Sequence, residues 1–257
     1  MHWQKHKRGA HHGDIAKEDA LKTIDFWCKD NLKYIRFTGG EPTLHPNLLD
    51  FVKTSKDGGV KRVGISTNGS AELSYYWNLV KEGVSDFSIS LDGCCAKEID
   101  FMSGKPYCKN GETIINNIRE LSKITYVTVS IVAANDNLER LTDILCFASN
   151  LGVSDMYIVS AVQENKLLDV SKIPENILEK HPILRYRVNN IKNGRDVRGM
   201  INSDCKKCYL MMDDSTVVGN KCFPCIIYLR EGGNPICNVG ERMKEKRIEW
   251  MKNHNTF

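Results

Sequence analysis

The sequence has 257 residues, of which 41% are hydrophobic, enough for the core of one large domain or of a domain with an appendage. Its 36 basic and 32 acidic side chains leave a formal charge of +4 without long single-sign blocks, which gives no electrostatic case for a nucleic-acid or membrane-surface partner. No run approaches the roughly 18 apolar residues that span a bilayer, and the first residues lack a signal-peptide core, so we expect a cytoplasmic protein.

Residues 16–161 alternate amphipathic helices with short β-branched runs, a pattern typical of β/α units around a parallel sheet. Strands are predicted at residues 34–37, 60–67, 84–91, 127–133 and 156–159, each reached through a helix. Parallel strands connected in this way form a full or partial α/β barrel, whose active site lies at the carboxyl ends of the strands.

The composition changes after residue 162. Residues 163–200 are polar and helix-rich and are interpreted as a connector, whereas residues 201–257 contain five cysteines together with glycines and turn residues. We therefore predict three segments: a barrel region at 1–162, a connector at 163–200 and a small cysteine-rich region at 201–257.

Three motifs stand at predicted strand ends: Gly39-Gly40-Glu41-Pro42, Ser66-Thr67-Asn68-Gly69 and Ser90-Leu91-Asp92-Gly93. The glycine pair permits close approach of the backbone to a ligand, and the glutamate can brace the loop, although this tetrapeptide alone could be an ordinary turn. In this order and at these positions, the three motifs resemble the strand ends of radical S-adenosylmethionine (SAM) enzymes.

The resemblance implies a fold, a cofactor and a set of binding positions. The fold would be a partial (β/α)6 TIM-like barrel of the α/β class. Glycine carbonyls would take the methionyl ammonium group of SAM, while hydroxyl, amide and carboxylate side chains would lie near its carboxylate and ribose. The implied binding positions are Gly39, Gly40, Glu41, Pro42, Ser66, Asn68, Ser90 and Asp92.

One family feature is missing from the sequence. Radical SAM enzymes hold a catalytic [4Fe-4S] cluster with a Cys-x3-Cys-x2-Cys loop after the first strand. No such spacing occurs here, because Ile201 and Val218 stand where the first cysteine would be needed before the Cys205–Cys208 and Cys222–Cys225 pairs. We therefore expect that the first strand and the cluster loop were lost through truncation and that the chain binds SAM poorly and does not cleave it. A degenerate family member without radical chemistry remains the alternative.

The second metal signal is the group Cys205, Cys208, Cys222, Cys225 and Cys237. Ten cysteines in a reducing compartment favour metal ligation over disulfides, and paired Cys-x2-Cys knuckles are typical of zinc. The family resemblance instead implies an auxiliary [4Fe-4S] cluster in a SPASM or twitch extension, with residues 209–212, an Asp213-Asp214 turn and residues 216–225 as its β-hairpin. Thiolates suit either metal, so both stay open.

The resemblance implies reductive cleavage of SAM to a 5'-deoxyadenosyl radical that abstracts a hydrogen atom from a substrate. Such an oxidoreductase or maturase would act on a peptide or a small molecule and would take electrons from a donor such as flavodoxin or ferredoxin. A variant is the nucleotide cyclase of molybdopterin synthesis, although the C-terminal Gly-Gly tail of that enzyme is missing. The alternative from another class is a non-catalytic barrel with a zinc knuckle that serves as a binding or scaffold module.

Overall fold

A computed structural model describes residues 14–103, 110–134, 136–160, 169–194, 214–230, 232–240 and 242–254. Its main element is a five-stranded sheet in the order β1-β2-β3-β4-β5, in which every neighbouring pair is parallel. The strands are β1 (Tyr34–Phe37), β2 (Arg62–Thr67), β3 (Asp86–Ser90), β4 (Tyr126–Ala133) and β5 (Asp155–Ser160). The predicted α/β fold with five parallel strands is confirmed.

Helices alternate with the strands of this sheet as the sequence pattern predicts, except that two helices and not one lie between β3 and β4. The helices are α1 (Lys17–Lys29), α2 (Leu48–Asp57), α3 (Leu73–Lys81), α4 (Ala96–Met102), α5 (Gly111–Leu121), α6 (Leu141–Asn150), α7 (Glu175–Lys180), α8 (Pro182–Lys192), α9 (Ile226–Arg230) and α10 (Met243–Asn253). Short 3-10 turns occupy Pro42–Leu44 and Leu138–Arg140. Within the described ranges, no helix has both the length and the apolarity needed to cross a membrane.

Strands β2 and β3 begin two residues later than the sequence predicts. The backbone N–H groups of Val60 and Val84 donate to the carbonyls of Ser55 and Leu79, so these residues close the preceding helices instead of starting the strands. The glycine before Val60 has a φ of +85°, as expected for the left-handed residue that ends a helix.

The two faces of the sheet differ in polarity because side chains alternate along each strand. One face carries fully buried apolar side chains such as Val63, Phe87 and Val129, and these form the core. The opposite face, called the polar face below, carries Arg36, Ser66, Asp86, Ser88, Thr128 and Tyr157. This alternation places the hydrophilic side chains of neighbouring strands side by side.

The chain forms two compact units. The larger contains the described residues within 33–52 and 61–202, including the whole five-stranded sheet, and the smaller contains those within 1–32, 53–60 and 203–257. The smaller unit has a three-stranded antiparallel sheet made of β6 (Thr216–Val218), β7 (Lys221–Phe223) and β8 (Cys237–Asn238). Residues 216–223 form a hairpin with its turn at Gly219 and Asn220. Residues 209–212 of the predicted hairpin lie outside the described residues.

Candidate active site at the carboxyl edge of the sheet

The three strand-end motifs meet at one edge of the sheet. We call the loops after β1, β2 and β3, which comprise residues 38–42, 68–69 and 91–93, the rim. Because the strands are parallel neighbours, their carboxyl ends lie at the same edge, and the rim loops are adjacent in space.

Glu41 joins the first two rim loops. Its Oε1 accepts hydrogen bonds from the backbone N–H of Thr43 at 3.1 Å and from the hydroxyls of Thr43 and Thr67 at 2.7 Å each. Its Oε2 accepts the backbone N–H of Asn68 at 2.7 Å. The predicted bracing role of this glutamate is therefore visible in the structure, and its side chain is used within the protein.

A buried tyrosine supports this brace from α3. The hydroxyls of Tyr76 and Thr67 are 3.0 Å apart, and the Tyr76 ring packs edge-on against Phe87 at a centroid distance of 5.5 Å. Burial raises the pKa of Tyr76 to about 12, so its hydroxyl keeps its proton at any physiological pH. No pattern in the sequence signals this hydrogen bond between α3 and β2.

Asn117 on α5 fixes the loop after β2. Its Nδ2 donates to the carbonyls of Gly69 and Ala71, both at 2.8 Å, and the side chain is almost fully buried. Gly69 has a φ of +78°, and a Cβ there would lie 2.8 Å from the Cγ2 atom of Ile89, so both conformation and space require glycine. A polar residue within the apolar face of α5 was the only available sequence signal for this role.

Asp92 joins the ends of β3 and β4. Its Oδ1 accepts the backbone N–H of Val132 at 2.8 Å, and the side chain of Asn137 donates to the carbonyls of Asp92 and Val132 at 3.3 and 3.0 Å. Burial raises the pKa of Asp92, and the hydrogen bond from Val132 partly offsets this effect. Asn137 was not among the sequence-predicted site residues.

The glycine pair of the first rim loop leaves open space. A Cβ placed on Gly39 or Gly40 would meet no atom of the described residues within 4 Å, and Gly39 has a φ of +148°. Both residues are exposed, whereas Pro42 is buried and begins a 3-10 turn. An accessible backbone without side chains fits a ligand such as SAM that binds through main-chain carbonyls.

The remaining predicted residues occupy the polar face and the exposed rim. The Ser66 hydroxyl lies 3.3 Å from the Nη1 of Arg36, on the polar face, and Asn68 and Ser90 are exposed. The Asn68 side chain accepts the backbone N–H of Ser70 at 2.9 Å, which shapes its own loop. All eight predicted positions thus lie at or just below one edge of the sheet.

The cysteine region is described only in part. Cys222 and Cys237 are paired across β7 and β8, with Cys225 close by in sequence, while Cys205 and Cys208 lie outside the described residues. Among the residues that the structure describes, no three His, Cys, Asp or Glu side chains are grouped so that they could hold a metal ion. The described part of the chain therefore shows no set of ligands for a [4Fe-4S] cluster.

Comparison with known proteins gives the family. The chain is 26% identical over 195 residues to a protein of Sulfurisphaera tokodaii named probable GTP 3',8-cyclase, covering 69% of this chain and 61% of that relative. Its fold is similar to that of anSMEcpe with bound AdoMet, with a TM-score of 0.63, 15% identity and coverage of 93% and 75% of the two chains. A second similar fold is Streptococcus suis SuiB bound to precursor peptide SuiA, with a TM-score of 0.62, 14% identity and coverage of 91% and 57%.

Both structural likenesses concern the fold alone, and the chain spans less than two thirds of the length of the cyclase relative. The family model named Radical SAM superfamily matches residues 4–148, which include the three rim loops and more than half of the chain. The strand-end motifs, the parallel sheet and this match agree, and the chain belongs to the radical SAM superfamily of enzymes.

Proposed function

We propose that this chain forms the SAM-binding part of an enzyme that cleaves SAM reductively and uses the resulting 5'-deoxyadenosyl radical to modify a substrate. The observation that carries this proposal is an open glycine pair in the first rim loop, which Glu41 joins to the second rim loop, while Asp92 ties the third rim loop to β4. An accessible, rigid edge of this kind suits a ligand that must be held in one orientation.

The rim residues would divide the binding of SAM between them. The backbone carbonyls of Gly39 and Gly40 would accept the methionyl ammonium group, since no described atom lies within 4 Å of a Cβ placed on either residue. The exposed side chains of Asn68 and Ser90 would contact the carboxylate and ribose. Glu41 and Asp92 would act mainly by positioning the loops, because protein donors already bind their carboxylates.

The catalytic cluster would need ligands that this sequence does not contain, since the Cys-x3-Cys-x2-Cys spacing is missing. We therefore derive no step through that cluster and expect no SAM cleavage by the chain as it stands. This departure is also the observation that favours the second candidate function, a non-catalytic binding or scaffold module with a zinc knuckle.

An auxiliary metal site in the smaller unit is the second part of the proposal. Cys205, Cys208, Cys222, Cys225 and Cys237 would supply thiolates to an auxiliary [4Fe-4S] cluster, with zinc as the alternative. The cross-strand pairing of Cys222 with Cys237 supports this proposal, because it brings two thiols together.

We base the proposed substrate and electron donor on what the relatives and the superfamily suggest. The cyclase relative favours a small-molecule substrate, and the SuiB–SuiA likeness leaves a peptide open. The electron donor would be a flavodoxin or a ferredoxin, and the enzyme would act in the cytoplasm.

Direct titration with SAM tests the central claim. We expect weak binding by saturation-transfer NMR that is lost in Gly40→Val, because the added side chain fills ligand space without a clash in the protein. Gly240→Val is the matched control, since its Cβ also meets no atom within 4 Å. Absence of SAM binding at millimolar concentration, or binding that survives Gly40→Val, would exclude the rim as the SAM site.

Chemical analysis separates the two candidate functions. After anaerobic reconstitution we expect iron and sulfide bound through the five C-terminal cysteines, whereas zinc alone would favour the scaffold function. Formation of 5'-deoxyadenosine by this chain with dithionite would contradict the expected inactivity.

A further inference from the structure

The smaller unit contains a cavity of its own, with a volume of about 490 Å³. Two of its described lining residues, Lys22 and Phe26, lie on α1, and the others lie within residues 237–246, which run from β8 into α10. All of them belong to the smaller unit, whereas the eight residues assigned to SAM belong to the larger one. The cavity is therefore distinct from the rim.

Helical spacing brings the cations of this cavity together. Lys22 and Phe26 are four residues apart on α1, and Arg242 and Lys246 are four residues apart at the start of α10. Residues at this spacing lie on the same face of a helix. One face of α1 and one face of α10 thus form the walls of the cavity.

The lining is positively charged. Lys22, Arg242 and Lys246 are all exposed, and no acidic residue is among the described residues of the lining. The Nζ of Lys246 lies 3.5 Å from the Oε2 of Glu249. Neither Lys22 nor Arg242 forms an ion pair with another described residue. Two accessible cations therefore remain uncompensated within the described part of the chain.

A cysteine side chain reaches the same cavity. Cys237 is among the lining residues and is half-buried, while its cross-strand neighbour Cys222 is fully buried. Both belong to the group of cysteines proposed above for the auxiliary metal site. A partner that binds the three cations would consequently lie beside this cysteine pair.

The exposure of the cations fits a protein partner better than a small anion. Small-ligand pockets enclose most of the ligand within largely apolar walls, whereas Phe26 is the only hydrocarbon side chain among the described residues of this lining. Exposed ion pairs contribute little affinity one by one, but they speed the encounter of oppositely charged surfaces. Weak electron-transfer complexes use small contact areas of this kind.

We propose that this basic cavity is the docking site of an acidic one-electron carrier protein, whose surface carboxylates contact Lys22, Arg242 and Lys246 next to Cys237. A substrate fits less well, because it has to reach the rim, whose residues belong to the larger unit. The inference rests on the proposed function in one respect, because an enzyme that cleaves SAM reductively needs an electron carrier.

Biolayer interferometry with the whole chain tests docking, with a flavodoxin as the acidic carrier and cytochrome c as a basic carrier for comparison. We expect flavodoxin to bind and cytochrome c not to bind. Flavodoxin binding should weaken at least about 10-fold when the NaCl concentration rises from about 50 to about 300 mM, because salt screens exposed charges.

The double variant Lys22→Gln and Arg242→Gln should weaken flavodoxin binding about 10-fold. The control is Lys97→Gln with Arg119→Gln, which removes the same charge from exposed positions on α4 and α5 and should leave binding unchanged. All four residues are exposed, so the variants should fold, which circular dichroism checks.

Carbodiimide cross-linking locates the contact, because it joins a lysine amine directly to a carboxylate. We expect flavodoxin peptides linked to Lys22 or Lys246. Cross-links confined to other lysines, equal binding of the two carriers, or equal loss in the two double variants would overturn the proposal.

Binding of a polyglutamate peptide as tight as that of flavodoxin would overturn it as well, since the cavity would then recognise any acidic segment. Failure of the SAM titration with intact, variant-sensitive flavodoxin binding would refute the proposed SAM site alone. The reverse result would refute only the docking site.

Discussion

The carboxylate of Glu41 accepts the backbone N–H of Asn68 at an Oε2···N distance of 2.7 Å, which ties the loop after β1 to the loop after β2. The other carboxylate oxygen binds the hydroxyls of Thr43 and Thr67. One side chain therefore sets the distance between two loops that are 26 residues apart in sequence. The spacing of the rim depends on this carboxylate before any ligand binds.

Glu41→Gln should lower the free energy of unfolding by about 2 kcal/mol, because an amide group would present N–H groups to donors that need an acceptor. Urea denaturation followed by circular dichroism measures this change. Glu82→Gln is the control, since Glu82 is exposed at the end of α3. Equal stability of the two variants would show that the brace contributes little.

Asn117→Ala should lower the free energy of unfolding by about 2 kcal/mol, because it leaves the carbonyls of Gly69 and Ala71 without their donor. Amide hydrogen exchange should also accelerate at residues 69–71. Asn116→Ala, one position away and exposed, provides the comparison. Exchange rates that rise equally in both variants would point to general loosening of α5.

The fold could be predicted from the sequence because the patterns that indicate its helices and strands are local. Buried Val63 and Ile65 on β2, separated by one residue, show the period of two that marks a strand. Gly83 marks the end of α3, because glycine readily adopts the positive φ that follows a helix, and its φ here is +109°. Strand order then followed from the alternation of helices and strands.

The contacts that brace the rim loops and the sheet could not be predicted from the sequence, because they join residues that are far apart along the chain. Asn117 contacts Gly69 across 48 positions, and Arg36 contacts Asp86 across 50. Each depends on the register of neighbouring elements, which no local pattern encodes. The motif residues could be named in advance, but the division between ligand-facing groups and bracing groups required the coordinates.

Gly64→Ala should destabilise the protein by about 1–3 kcal/mol, because the new Cβ would crowd the Arg36–Asp86 pair. Gly40→Ala should change stability little, since its Cβ would meet no neighbour within 4 Å. Thermal unfolding of the two variants tests this difference. A similar loss in both would show that backbone freedom, and not space, decides the effect at Gly64.

Cys94 should react slowly with iodoacetamide at pH 8.5. Burial, together with the hydrogen bond to Glu98 and its negative charge, raises the pKa of the Cys94 thiol to about 11, so little thiolate forms. Peptide mass spectrometry should show slower labelling at Cys94 than at exposed Cys95, and Glu98→Gln should accelerate it. Labelling of Cys94 as fast as Cys95 in the unchanged protein would contradict the raised pKa.

His181 should make the protein less stable as the pH falls below about 6.5, the ordinary pKa of histidine. Burial lowers the pKa of His181 in the folded protein, against an opposing effect of Asp155, and its Nε2 lies 2.9 Å from the Ser149 hydroxyl. Below that pH the unfolded chain therefore takes up a proton that the folded protein resists. The stability linked to His181 is complete above pH 6.5 and decreases toward acid, by at most about 1.4 kcal/mol per pH unit.

Urea unfolding between pH 5.5 and 7.5 should thus show a smaller dependence on pH in His181→Gln than in the unchanged protein. His254→Gln, which alters an exposed histidine near the end of α10, should keep the full dependence. Carboxylates titrate mainly below this range, so the difference between the two variants isolates the buried imidazole. The same dependence in both variants would mean that His181 accepts its proton in the folded state, through a rearrangement that lets water or Asp155 reach the ring.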